Sequence, residues 1–288
     1  MKRRDFVGTI GAVAAGTSVL PSLARAIEFL PSNAGAASLK RIGLETYSVR
    51  DRMKIDPDGT LRAVRAMGYT DVELLWQFDN FGRTTAQVKA VLASTGLKAP
   101  SAHIAPEILL KDWNKSLDTA KELGHEYLIV PSLPAETDTS LDAWRVWADR
   151  FNTAGDAARR AGLWLAFHNE PSHVKAIAHQ VPYDLFISLT DPSTVRLQLD
   201  VGNMLQGGGD PMAYLAKYGA RYHSFHIKDV VADRSHDTDL GTGIFDAKKF
   251  LAAVKELDGK PVYVEQEGSK DSLASAKRNL EYLRILSF

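Results

Sequence analysis

The chain has 288 residues, 45% apolar and 24% charged, with 35 basic side chains against 35 acidic ones, proportions that exclude a disordered or collagen-like chain. It contains no cysteine, which removes disulfides, thiolate ligands and cysteine nucleophiles together and leaves His, Asp, Glu and Asn to hold any metal. A formal net charge of zero argues against nucleic acid as a partner, because such binders need surplus Lys and Arg to displace counterions from phosphates.

Residues 1–26 read as an address. Arg3-Arg4 precedes a run from Phe6 to Leu20 that is apolar but diluted by Gly, Ala and Thr, and it is too short to span a bilayer. Leu23-Ala24-Arg25-Ala26 then offers small residues at the third-last and last positions before a cut. The paired arginines match a twin-arginine signal, so the expected location is periplasmic or secreted, with the export machinery as a partner and no stable membrane insertion. Cleavage after Ala26 removes four cations and one acid and leaves a net charge of −3. Residues 27–39 read as a linker and 40–288 as one folded domain.

From Lys40 onward, β-rich runs alternate with helical patterns. The runs are Ile42 to Ser48, Thr70 to Leu75, Lys98 to His103, Tyr127 to Pro131, Leu163 to His168, Val195 to Asp200, Tyr222 to Ile227 and Pro261 to Gln266. Between them, Asp56-Pro57 and Asp210-Pro211 place an acceptor before a first-turn proline, and Thr84-Thr-Ala-Gln87 has capping-box spacing. Leu141, Trp144, Ala148, Phe151, Gly155 and Ala158 form one stripe at helical spacing, while Gly96, Gly124 and Gly162 stand where helices should stop. Eight such units in about 250 residues predict an α/β fold, a closed (β/α)8 TIM barrel, ahead of an open eight-stranded sheet. No Gly-x-Gly-x-x-Gly follows the first strand to favour a dinucleotide fold.

Strand parity then selects the residues that face the barrel axis. In Leu163-Trp-Leu-Ala-Phe-His-Asn-Glu170, His168 and Glu170 oppose Leu163, Leu165 and Phe167; on the next strand Arg196, Gln198 and Asp200 oppose Leu197 and Leu199. Ser224, His226 and Lys228 share the inward parity of the seventh strand, as Glu265 and Glu267 do on the eighth. Four consecutive strands therefore end in inward acids or imidazole, at the barrel end where catalytic residues gather. Converged carboxylates repel in a low-dielectric mouth unless a cation neutralises them, and Arg196 and Lys228 do not offset them. Oxygen ligands with an imidazole suit one divalent ion: Mn, Mg, Co or Zn.

Gly43-Leu-Glu-Thr-Tyr-Ser-Val-Arg-Asp51, Pro100-Ser-Ala-His103, Tyr127-Leu-Ile-Val-Pro131, Leu199-Asp200, His226-Ile-Lys-Asp229, Gly241-Thr-Gly243 and Val264-Glu-Gln266 together resemble the sugar phosphate isomerase/epimerase family with xylose isomerase-like barrels, from about Leu39 to Phe288. The resemblance implies a divalent metal held by a Glu after strand five, an Asp after strand six, a His after strand seven and a Glu after strand eight. The last three correspond to Asp200, His226 and Glu265. The family's strand-five Glu stands three residues before an Asn, a place held here by Ala166 ahead of Asn169, so Glu170 or His168 must supply the first ligand. Where many members have Asp-x-x-His after strand six, this chain reads Asp200-Val-Gly-Asn203, and Asn203 can bind a hydroxyl but cannot shuttle a proton.

The expected function is a metal-dependent sugar isomerase or epimerase that moves a proton next to a carbohydrate carbonyl. Glu170, Glu265 and Lys228 are the catalytic candidates, the metal set is Glu170, Asp200, His226 and Glu265, and Glu45, His103, His168, Asn203 and Trp76 are candidates for substrate contacts. A lyase or dehydratase acting on a keto-sugar or keto-glycoside would share the first step, and a non-catalytic sugar-binding barrel is the reading from another class. A barrel phosphodiesterase would need more inward histidines and a basic face. Glu73 is inward on the second strand, Phe78, Phe81 and Trp113 follow strands two and three, and His125, His173, His179 and His236 read as surface or loop histidines. An oligomer is compatible with the sequence.

Overall fold

The computed structural model describes residues 37–288. The expected export signal and residues 27–36 of the expected linker lie outside the described residues. Strands β1 (Gly43–Glu45), β2 (Asp71–Leu75), β3 (Lys98–His103), β4 (Tyr127–Val130), β5 (Trp164–His168), β6 (Val195–Asp200) and β7 (Tyr222–Ile227) are followed by a short antiparallel hairpin of β8 (Asp229–Val230) and β9 (Asp237–Thr238), and then by β10 (Val262–Val264). The seven strands and β10 are parallel throughout and close on themselves, with Leu44 of β1 beside Val264 of β10. Closure removes both sheet edges, so every strand finds two backbone partners. The (β/α)8 barrel expected from the strand count is the fold observed. No described helix is long and apolar enough to cross a membrane.

The helix boundaries follow the local chemistry. Asp56 accepts from Gly59 N ahead of Pro57, Thr84 and Gln87 form the reciprocal box, and Gly96, Gly124 and Gly162 end their helices at φ of 70°, 77° and 82°. The apolar stripe of Leu141–Arg160 buries Trp144 and Phe151 against Phe167 of β5 and Phe186, with Phe167 and Phe186 centroids 4.5 Å apart. Each such ring contributes roughly 2–3 kcal/mol by leaving water. Leu165, Leu197, Leu199, Phe225 and Ile227 join the same core between barrel and helices, which leaves the opposite parity for the interior.

Inside, the strand beginnings are plugged. Tyr127, Ile129 and Ala166 pack together with Trp164, and the Arg196 guanidinium lies 3.4 Å from the Trp164 ring centroid while donating to Tyr127 Oη at 2.7 Å. Two strands are shorter than the sequence suggests. Thr46 Oγ1 donates to Glu73 O and Tyr47 N to Glu45 Oε1, which turns the chain into a helical turn after Glu45, and β10 stops at Val264. The hairpin after β7 carries no alternating pattern in the sequence.

Candidate active site

The strand ends place four side chains together. His168 closes β5, Asp200 closes β6, His226 lies near the end of β7 and Glu265 follows β10; one ligand atom from each lies within 4.8 Å of the others. Asp200 is held twice. Asn169 pairs with its backbone through two hydrogen bonds of 2.9 Å, extending the β5–β6 ladder by a side chain, and Asp200 Oδ1 accepts from Asn203 N at 2.8 Å as the cap of helix Val201–Gln206. Its second oxygen, Oδ2, is thereby aimed inward.

That oxygen faces His168 Nε2 at 3.5 Å, Lys228 Nζ at 3.0 Å and His226 Nδ1 at 3.8 Å. His226 is fully buried, with Nδ1 2.6 Å from Glu265 Oε2 and Nε2 2.5 Å from Glu73 Oε2. Lys228, 1% exposed, donates to Asn203 Oδ1 at 3.0 Å and to Glu267 Oε1 at 2.6 Å, and lies 3.3 Å from Glu265 Oε2. Gly202 makes room for it, since a Cβ there would run into the Lys228 stem.

The charges settle one another. Burial disfavours the charged form of Lys228, but Asp200, Glu265 and Glu267 hold the ammonium well above its usual range. Burial likewise opposes the His226 cation, and the carboxylates of Glu265 and Glu73 outweigh it and raise the imidazole to about 10. Against its own burial, Glu265 is kept well below the ordinary carboxylate range by Lys228 and His226. Glu170 goes the other way: burial, with Glu265 and Asp200 nearby, outweighs Lys228 and pushes it up to about 8. Two carboxyl groups at one mouth are thus pushed in opposite directions, Glu265 down and Glu170 up.

The divalent ion implied by the sequence can be tested on the donor atoms. His168 Nε2 and Asp200 Oδ2 are buried and make no hydrogen bond among the described residues. An unpartnered buried atom such as His168 Nε2 costs about 1–3 kcal/mol, and it faces Asp200 Oδ2, whose charge is met by the Lys228 ammonium at 3.0 Å, inside the same four-residue group. Two imidazoles and two carboxylates are a donor set for a borderline divalent ion, so the residues fit the group.

The other candidates fall into place around this set. Glu170 stands beside it: Oε2 accepts from Asn203 Nδ2 at 3.2 Å and Oε1 lies 4.0 Å from His168 Nδ1, and it is the His168 ring that enters the converged group. Glu45, Glu73, His103 and His226 form a second buried group that shares His226 with the first. There His103 Nε2 meets Gln198 Oε1 at 2.9 Å and Glu73 Oε2 at 3.1 Å, while burial and the Glu73 charge hold Glu45 well above its usual range. Trp76 packs its ring on His125, with centroids 5.5 Å apart, rather than on the acids. Phe78 stacks on Phe81 and tilts against Tyr47, and Trp113 donates to Ala154 O within the helical layer.

His125 and His173 differ from expectation, being buried rather than on the surface. His125 Nδ1 donates to Ala99 O, and His173 Nδ1 accepts from Glu170 N while its ring stacks on Phe167. His179 and His236 are exposed. Sequence reasoning missed the role of Asp229, whose carboxylate accepts from the backbone N–H groups of Val230, Gly241, Gly243 and Phe245. Its signal was the pair of glycines in Gly241-Thr-Gly243. At Gly243 a Cβ would strike the Asp229 carboxylate.

Comparison with known proteins agrees with the fold. A family profile described as xylose isomerase-like TIM barrel matches residues 61–286. An inosose dehydratase of Clostridium beijerinckii is 28% identical over 136 residues, 43% of this chain and 45% of that protein. The chain spans about half the length of the curated relatives it matches first. The crystal structure of a sugar phosphate isomerase/epimerase from Parabacteroides distasonis is 26% identical, with a TM-score of 0.74, over 87% of this chain and 96% of that one. A xylose isomerase-like TIM barrel protein from Mycobacterium smegmatis in complex with magnesium shares the fold at 21% identity, with a TM-score of 0.61 over 84% of this chain and 95% of that one.

Proposed function

We propose that this chain, which belongs to the xylose isomerase-like TIM barrel family, is a divalent-metal-dependent enzyme that removes a proton next to a carbohydrate carbonyl and returns it, an isomerase or epimerase. The observation that carries the reading is the meeting of His168 Nε2, Asp200 Oδ2, His226 Nδ1 and a Glu265 oxygen at the strand ends, with His168 Nε2 left without a hydrogen bond. These four residues would hold the ion. A divalent ion bound there supplies a Lewis acid for a carbonyl oxygen and its neighbouring hydroxyl.

The protein groups supply the proton handling. Glu265, kept ionised by Lys228 and His226, is the acceptor for the proton next to the carbonyl, and Glu170, which stands beside the group and accepts from Asn203, is the donor on return. Lys228 places a fixed positive charge beside Asp200, Glu265 and Glu267, where negative charge builds on a substrate oxygen. Asn203, held between Lys228 and Glu170, orients a hydroxyl by hydrogen bonding without taking its proton.

A second reading keeps the same first step and ends in loss of water or of a glycosidic group, a lyase acting on a polyol-derived ketone, keto-sugar or keto-glycoside. It is favoured by the relatives named inosose dehydratase. Export of the chain, proposed from Arg3-Arg4 and Ala24-Arg25-Ala26, would bring such glycosides within reach.

Two variants test the assignment. His226→Ala should abolish retention of the metal, since it removes an imidazole that nothing else in the group replaces. Glu265→Gln keeps an oxygen donor but removes the base, so metal content should persist while kcat falls about a hundredfold or more. Unaltered metal content and kcat in both proteins would contradict the site.

A further inference from the structure

We infer that Glu73, in the middle of β2 and outside the four-residue group, is a positioning residue that fixes which nitrogen of His226 faces the ion and thereby sets the metal affinity; the inference rests on the metal reading above. Glu73 is fully buried, and its carboxylate gathers four donors. Oε1 accepts from Ser101 Oγ at 2.5 Å, both oxygens lie 3.0–3.1 Å from Gln198 Nε2, and Oε2 meets His103 Nε2 at 3.1 Å and His226 Nε2 at 2.5 Å. Ser101 spends its one hydrogen on Glu73, so the Tyr263 hydroxyl, 2.7 Å away, donates to Ser101. The Tyr263 ring crosses β1 where Gly43 leaves room, because a Cβ there would run into the ring.

A carboxylate can only accept hydrogen bonds, so Nε2 of His226 carries its hydrogen. With Nε2 committed to Glu73 deep in the barrel, Nδ1, which faces Asp200 and Glu265, is the nitrogen that gives up its proton to a cation. A charged partner on the far nitrogen also makes an imidazole a better donor, and removal of such partners weakens metal binding by about 10- to 100-fold. Glu73 could instead be a ligand with Glu45 and His103. Its oxygens already serve four donors, which favours the positioning role.

The test uses the full chain and Zn²⁺. Affinity is read by competition with a chromophoric chelator, and the His226 tautomer by ¹⁵N NMR of the Zn²⁺-loaded protein. The wild type should bind one Zn²⁺ with the His226 hydrogen on Nε2. Glu73→Gln should bind about 10- to 100-fold more weakly and lose that signature, while Glu73→Asp, which keeps the charge, should recover part of the affinity. Equal affinity in wild type and Glu73→Gln would overturn this inference and leave the metal reading standing. Absence of binding by the wild type would overturn the metal reading and this inference with it. Should Glu73→Gln not fold, the wild-type spectrum decides alone, since a hydrogen on Nδ1 in the loaded protein contradicts the role.

Discussion

Asp200 shows how one residue can serve a fold and a site at once. One oxygen caps a helix, the backbone is clamped by Asn169, and the remaining oxygen faces the barrel axis, where the Lys228 ammonium meets it at 3.0 Å. Parity along β5, β6 and β7 was enough to read which side chains point inward, because the outward positions are plainly apolar. Parity could not decide between His168 and Glu170. Both share it, and the separation comes from where β5 stops: His168 is its last residue, whereas Glu170 has entered the following turn and pairs with Asn203. The burial of His125 and His173 was likewise hidden, since a loop position says nothing about what packs over it. That burial predicts acid sensitivity. Their pKa values are held down to about 4 and about 3 by desolvation, below the ordinary 6.5 of the unfolded chain. Between those limits the unfolded state binds more protons, so stability is lost as pH falls, by up to about 1.4 kcal/mol per pH unit for each histidine. Urea unfolding between pH 6 and pH 5 should show this slope, and His125→Gln should reduce it by one histidine's share; an unchanged slope would mean that His125 is not neutral and buried.

At the scale of elements, the segment after β7 is the part that pattern reading did not reach. Strands and helices announce themselves by periods of 2 and 3.6, but β8, β9 and the turn through Gly241 and Gly243 are organised by a single buried carboxylate. Asp229 holds the loop as a helix N-terminus holds an anion, with four backbone N–H groups converging on two oxygens. Its neighbour Lys228 sits in the candidate site, so the loop and the site share one stretch of backbone. Asp229→Ala leaves those four N–H groups without acceptors and should lower the unfolding free energy by about 3 kcal/mol or more in urea. Asp229→Asn, which keeps one acceptor oxygen, should cost less. Equal stability in all three proteins would show that the loop is held by other contacts.

The whole molecule divides its labour along the barrel axis: an aromatic and guanidinium plug at the strand beginnings, a buried acid and imidazole network above it, and the candidate site at the strand ends. Closure was legible from counting, because eight strand and helix units in this length leave the β1–β10 seam, with Leu44 beside Val264, as the natural way to avoid open edges. The contacts of Glu170, Lys228 and Glu265, beyond the strand ends, depend on distances no spacing rule encodes. Outside the barrel, the proposed export signal predicts that protein recovered from the periplasm begins at Ile27, as N-terminal sequencing would show; an intact Met1 on soluble cytoplasmic protein would contradict it.

Metal-dependent proton removal next to a carbonyl is tested most directly in deuterated buffer, with Mn²⁺-loaded and chelator-treated protein offered a panel of keto-sugars, keto-glycosides and inososes and followed by ¹H NMR. Deuterium should enter the carbon beside the carbonyl of at least one substrate only with the loaded protein, accompanied by a rearranged sugar for an isomerase or epimerase and by an unsaturated ketone for a lyase. Exchange that is indifferent to the chelator, or its absence from every substrate with the ion bound, would contradict the account.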